Sequence, residues 1–168
     1  MNQPRVLGVD IGGVVIARSS TREHEDTSFF GHRYLETPEV PGALATLASL
    51  TGSGRFAFVH FVSKAGEAVA RKTREWLAHH DAHAVTGIQP TRLHFCRARH
   101  EKRDICTSLG VTDFIDDRID ILQNLDGAVA RRYLFAPIGD RHRPAQPPVG
   151  LIMVGGWEDA SAALLSVA

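Results

Sequence analysis

The sequence predicts one three-layer α/β domain, with a mostly parallel central sheet and helices on both faces. Three observations carry this. Short apolar runs alternate with helix-patterned stretches almost throughout the chain. Gly-rich punctuation separates them, at Gly12-Gly13, at Thr51-Gly52-Ser53-Gly54 and at Gly110. The 168 residues and their 43% hydrophobic content suit one continuous core and are short for two domains.

The elements follow in order. Val6 to Val9 is β-branched and apolar and stops at Asp10, as a buried parallel strand ending in a tight turn would. Residues 17–40 are polar and without a sustained period, so they form a small insertion, with one helical turn around Phe29-Phe30. Pro41-Gly42 opens a helix that places Leu44, Leu47, Ala48 and Leu50 on one face. Phe56 to Val62 is a second strand, followed by Ser63 and Lys64. A helix from about Gly66 to His80 carries Val69, Thr73, Trp76 and Leu77. Leu93 to Cys96 is a third strand. Lys102 begins the next helix, which Gly110 caps. Phe114-Ile115 is a short strand that runs into Asp116-Asp117. A short helix through Leu125, a strand over Tyr133 to Phe135, a Pro-rich connection, a strand over Leu151 to Val154 and a helix from Trp157 to Leu165 complete the chain.

Bulk properties narrow the function. Lys plus Arg equals Asp plus Glu, 19 each, so net charge offers no attraction for nucleic acid or an acidic membrane. The two cysteines, Cys96 and Cys106, are too few for a disulfide framework and lack metal-ligand spacing. They read as buried apolar residues. No apolar stretch reaches the roughly 20 residues that cross a bilayer. Asp10 interrupts the only run that resembles a signal peptide. A cytoplasmic protein without a membrane partner is expected.

In open parallel sheets, ligands bind outside the carboxyl ends of the strands. Those ends carry Asp10, Ser63-Lys64 and Asp116-Asp117, with Lys102 nearby. A strand-tip carboxylate can attack phosphorus. It needs a cation, because carboxylate and phosphate repel each other. Mg²⁺ takes hard oxygen ligands of the kind Asp10, Asp116 and Asp117 offer. The Ser63 hydroxyl can hold a phosphate oxygen, and a lysine ammonium can neutralise charge on the transferred group.

Read in order, these residues resemble the four motifs of the haloacid dehalogenase superfamily, whose fold is Rossmann-like. Val9-Asp10-Ile11-Gly12-Gly13-Val14-Val15 resembles the first motif, in a D-x-G-G-V form. Ser63 after FAFVHFV resembles the second, Lys102 the third, and Phe114-Ile115-Asp116-Asp117 the fourth. The likeness spans Val6 to about Leu165 and points to a small phosphatase member with a minimal cap. It implies that Asp10 is nucleophile and metal ligand and that the Gly12 carbonyl faces Mg²⁺. It also implies Asp117 as the more direct fourth-motif ligand, with Asp116 close by. Phosphate would meet Ser63, Lys64, Lys102 and the backbone of Gly12 and Gly13.

The resemblance departs at one position. Phosphatases of the family carry a second Asp two residues after the nucleophile, as general acid and base. Here that residue is Gly12. His24, His32 or Glu36 from the insertion, or the substrate itself, can replace it. The expected function is therefore a Mg²⁺-dependent phosphatase. The alternative is a catalytically weak or silent phosphate-binding or nucleotide-binding regulatory domain. Dehalogenation through the same aspartate is a third reading, disfavoured by Asp116-Asp117 because it needs no metal. The partner is a phosphorylated small molecule, nucleotide or macromolecule. A minimal cap also suits a homodimer in which a second copy covers the site.

Other readings compete residue by residue. Gly12-Gly13 as a dinucleotide turn fails because G-x-G-x-x-G is absent. Asp116-Asp117 also fits a solvated helix start. Ser63 also fits an N-cap, and Lys102 a basic turn with Arg97, Arg99 and Arg103. His79, His80 and His83 sit where a helix ends and find no fourth zinc ligand, so they read as surface residues.

Overall fold

The computed structural model describes residues 4–18 and 31–167. Expectations that fall on 19–30, His24 and the Phe29-Phe30 turn among them, lie outside the described residues. Twelve elements position the site: β1 (Val6–Val9), α1 (Ala43–Gly52), β2 (Phe58–Lys64), α2 (Glu67–His79), α3 (Ala82–Thr86), β3 (Leu93–Cys96), α4 (Glu101–Ser108), β4 (Asp113–Asp116), α5 (Ile119–Asn124), β5 (Arg131–Phe135), β6 (Ile152–Val154) and α6 (Trp157–Ser166). The six strands form one sheet in the order β3-β2-β1-β4-β5-β6, and every pairing is parallel.

Strand alternation divides the core. Leu7 and Val9 of β1 face one layer with Phe61, Ile115, Trp76 and Trp157. Val6, Val62, Phe114 and Leu134 face the other, with Cys106 of α4 and Leu122 of α5. Gly8 faces that second layer too, where the Phe114 ring lies against β1. A Cβ on Gly8 would stand 2.4 Å from that ring, so only glycine admits the contact. Both indole N–H groups are buried and satisfied: Trp157 donates to the Val14 carbonyl and Trp76 to Thr37. The first of these ties α6 to the turn that follows β1.

The described ends of the insertion are fastened to each other. Ala17 N–H donates to Pro38 and Val40 N–H to Val15, around an antiparallel bridge between Ile16 and Glu39. Among the described residues, no helix is long and apolar enough to cross a membrane.

Three elements differ from the sequence expectation. β2 starts and ends two residues later, because its pairing with β3 continues to Lys64 against Cys96. Ser63 and Lys64 are thus the last residues of the strand. β5 begins at Arg131, whose guanidinium is held by Asp113. α3 has no sequence signature: it is short, and its contacts with α1 and α2 support it. The histidines around it are structural. His80 stacks on Trp76 and bonds the Leu35 carbonyl, while His83 bonds the Ile88 carbonyl.

Asp113 sits at the opposite edge from the strand tips and is fully buried. It accepts bonds from Arg5, Arg131, Thr112 and Tyr133. Burial alone would raise its carboxyl, but the Arg131 and Arg5 bonds outweigh it and hold it down at about 2. A depressed carboxyl stabilises the fold above its unfolded value near 4 and loses that contribution as pH falls to about 2. Acid unfolding of Asp113→Asn is therefore expected to be flatter over that window. The wild-type loss there is expected to be roughly 2 kcal/mol, which urea unfolding across a pH series would measure.

Candidate functional site

The site begins with register. Val9 pairs with Ile115, and both face the first core layer. The next residues, Asp10 and Asp116, therefore turn to the opposite side, beneath α4. The Asp10 N–H donates to the Ile115 carbonyl at 3.0 Å, which locks the tip of β1 beside β4. Two carboxylates are thereby forced together under the first turn of α4. That turn supplies the countercharge. Lys102 Nζ donates to Asp10 Oδ1 and to Asp116 Oδ2, both at 2.8 Å.

The centre is buried. Lys102 is 1% exposed, Asp116 0% and Asp10 7%. Asp116 also accepts the Arg118 N–H at 2.9 Å, so its two oxygens are both engaged. Burial lowers the Lys102 ammonium, but Asp10 and Asp116 outweigh that and hold it well above its usual range. Burial, then the Asp10 charge, pushes the Asp116 carboxyl up despite Lys102. The physical reason is one of count: Asp10, Asp116 and Asp117 converge, and Lys102 alone lies between two of them.

Asp117 completes the cluster. One oxygen from each of Asp10, Asp116 and Asp117 lies within 4.8 Å of the others. Asp117 Oδ2 pairs with the Arg18 guanidinium at 2.8 Å, while Oδ1 is buried without a hydrogen-bond partner. An orphaned buried carboxylate oxygen is costly unless something binds it. The donor set is all oxygen and carries three negative charges against Lys102 and Arg18. A hard divalent cation of the Mg²⁺ class fits those donors. Burial, then the Asp10 charge, raises the Asp117 carboxyl to about 6, with Arg18 opposing. A cation bound here must displace that proton. Its affinity is expected to fall as pH drops through about 6, as metal titration by calorimetry would register.

The remaining expected residues divide. Ser63 is buried at the end of β2, and its hydroxyl has no partner among the described residues. Lys64 is exposed at the same strand end and forms no ion pair among the described residues. Gly12 is exposed, and its N–H and carbonyl are free among the described hydrogen bonds. Gly13 differs from expectation. Its N–H is spent on the Ile16 carbonyl at 2.8 Å, so no donor is left for phosphate. Its value is shape: φ is +79°, and a Cβ would meet Asp117 at 2.3 Å and Arg18 at 2.7 Å. Of the insertion residues, His32 is exposed and Glu36 is paired with Arg33. Cys96 and Cys106 are buried, and burial pushes the Cys106 thiol up to about 12. Nothing in the spacing of Arg18 marks it as the partner of Asp117, which stands just past the end of β4.

No protein-family model matches the chain, and no curated protein matches it. Solved structures do resemble it. A D,D-heptose bisphosphate phosphatase from B. bronchiseptica, solved with magnesium and phosphate, superposes with a TM-score of 0.66 at 20% identity, covering 98% of this chain and 99% of that one. A HAD-superfamily hydrolase from Ehrlichia chaffeensis gives 0.60 at 11% identity and 98% of both chains. A dehalogenase solved as an intermediate complex gives 0.66 at 12% identity and all of both chains. At these identities the likeness is one of fold. The described residues share the fold of these haloacid dehalogenase-like hydrolases.

Proposed function

We propose that the protein is a Mg²⁺-dependent phosphatase that works through an aspartyl-phosphate on Asp10. One observation carries the proposal: a buried ammonium bridges Asp10 and Asp116 at 2.8 Å each, beside an Asp117 oxygen with no partner. Stability alone does not favour such a centre, since burying charge is costly. A centre that must receive an anion and a cation together does require it. The fold is shared with a phosphatase that binds magnesium and phosphate and with a dehalogenase. The three clustered carboxylates favour the former, because dehalogenation has no use for a metal.

The roles in this reading rest on the following arrangement. Asp10, Asp117, Asp116 and the Gly12 carbonyl would hold Mg²⁺. When bound, it offsets the repulsion between carboxylate and phosphate. Lys102 holds Asp10 by a hydrogen bond and would neutralise the phosphoryl oxygens, and Ser63 offers its unpartnered hydroxyl. Asp10 attacks phosphorus, the ester oxygen leaves with its electron pair, and water then releases phosphate from Asp10. A silent phosphate-binding domain is the second reading, favoured by the missing side chain at Gly12.

Phosphate release from a panel of phosphomonoesters, with Mg²⁺ and with EDTA, tests both readings. Turnover that EDTA removes is the expected result. Binding of Mg²⁺ and phosphate analogues without turnover would favour the silent domain.

A further inference from the structure

Two arginines beside the buried centre share one carboxylate. Arg99 precedes α4, and Arg118 follows Asp117. Each is fastened by its backbone to a residue of that centre. The Arg99 carbonyl accepts the Lys102 N–H at 3.2 Å, and the Arg118 N–H donates to Asp116 Oδ1 at 2.9 Å. From these two loops their guanidiniums converge on Asp120, in the first turn of α5. Arg99 Nη1 donates to Asp120 Oδ2 and Arg118 Nε to Asp120 Oδ1, both at 3.1 Å. Burial raises the Asp120 carboxyl, but Arg118 and then Arg99 outweigh it and hold it below its usual range. The carboxylate therefore stays charged between the two cations. Stability does not ask for this arrangement. The side chains of Arg99, Arg118 and Asp120 are 48%, 39% and 51% exposed, and exposed ion pairs contribute little. The group keeps a net positive charge. Each guanidinium carries several N–H donors in a planar fork and spends one on Asp120. Such forks match the oxygens of a phosphate or a carboxylate.

We infer that Arg99 and Arg118 receive a second anionic group of the substrate, away from the phosphoryl group that Asp10 attacks. The inference rests on the phosphatase reading and names its substrate class: small phosphomonoesters that carry another phosphate or a carboxylate. The second anion does not react. Holding it fixes the substrate at two points, so the reacting phosphorus is set over Asp10 with less freedom to lose. Asp120 orients the pair and touches neither anion. Arg118 also stands within electrostatic reach of the acidic cluster. Burial and the Asp10 charge raise the Asp117 carboxyl, and Arg118 is among the cations that oppose them. A guanidinium is weakly hydrated, so exchanging water for a second anion costs it little.

The test compares straight-chain alkanediol bisphosphates, phosphooxy-alkanoates and hydroxyalkyl monophosphates of matched length, with Mg²⁺, on the full chain. The readout is the ratio of kcat/KM, per phosphoryl group, between a doubly anionic compound and its neutral-ended counterpart. For the wild type this ratio should reach roughly 10–10²-fold at its best chain length. The bisphosphate and carboxylate arms show which anion the arginines prefer. The ratio should shrink as ionic strength rises. Arg99→Gln and Arg118→Gln should each lower it by roughly tenfold. A general loss of fold would lower both members of a pair alike and leave the ratio where it was, so the ratio separates recognition from structure. A wild-type ratio near one, with turnover that EDTA removes, would overturn the inference and leave the phosphatase standing. A high ratio that survives in both folded variants would also overturn it, since the second anion would then be held elsewhere. No turnover of any member would overturn the phosphatase reading, and this inference with it.

Discussion

Asp10→Asn is expected to reduce phosphate release to background, on the order of 10⁴-fold or more, while the protein remains folded. The amide matches the carboxylate in shape but does not attack phosphorus. The backbone contact that holds the strand tip, Asp10 N–H to the Ile115 carbonyl, is untouched. Lys102 keeps its bond to Asp116 at 2.8 Å. Two electrostatic effects then oppose each other. Lys102 loses one of its two carboxylates, and Asp116 and Asp117 lose a negative neighbour that raises both of them. The net change in unfolding free energy should stay within about 1 kcal/mol. Phosphate release and urea unfolding, measured on the same preparation, separate the two. Turnover that survives the substitution would place the nucleophile elsewhere, and loss of the fold would make Asp10 a structural residue.

Lys102→Met carries the opposite signature, with stability and activity falling together. Methionine fills much of the lysine stem but leaves Asp10 and Asp116 facing one another, with Asp117 within 4.8 Å. Removing one partner of a buried charged set typically costs about 3–5 kcal/mol. Lys102 is 1% exposed, so solvent does little to offset the loss. The deficit should appear in full in EDTA and shrink when Mg²⁺ is added, because a divalent cation supplies the missing positive charge. Adding Asp116→Asn to Lys102→Met should recover part of the stability and none of the activity. Phosphoryl transfer should drop by roughly 10²–10³-fold in Lys102→Met even with saturating Mg²⁺. Equal stability with and without Lys102 in EDTA would remove the ammonium from the centre of the site.

The two substitutions also separate what was legible in the sequence. Asp10, Ser63, Asp116 and Asp117 all stand at or beside strand ends, with Lys102 in the first turn of the helix after β3, and strand ends can be read from apolar runs and the polar residues that stop them. Period-two alternation even determines that Asp10 and Asp116 share a face once Val9 is set beside Ile115. Other features depend on distances between segments far apart in the chain. Arg18 reaches Asp117 from beyond the turn after β1, and the Trp157 indole ties that turn to α6 from 143 residues away. Gly13 reads as a donor in a Gly-Gly pair, yet the turn consumes its N–H. The seat of the Phe114 ring against Gly8 joins two strands far apart in the chain. α3 exists because α1 and α2 support it, which no local pattern announces.

The sequence by itself determined the layer architecture, the ends of the sheet that carry chemistry, and the absence of a side chain at position 12. These are properties of periodicity and of single residues, and they travel with the chain. Only the tertiary structure decided that Lys102 stands between Asp10 and Asp116, that one Asp117 oxygen is left unpartnered, and that Arg18 pairs with the other. Each of these depends on packing and register, because a buried charge is tolerable only where folding brings its counterions within bonding distance.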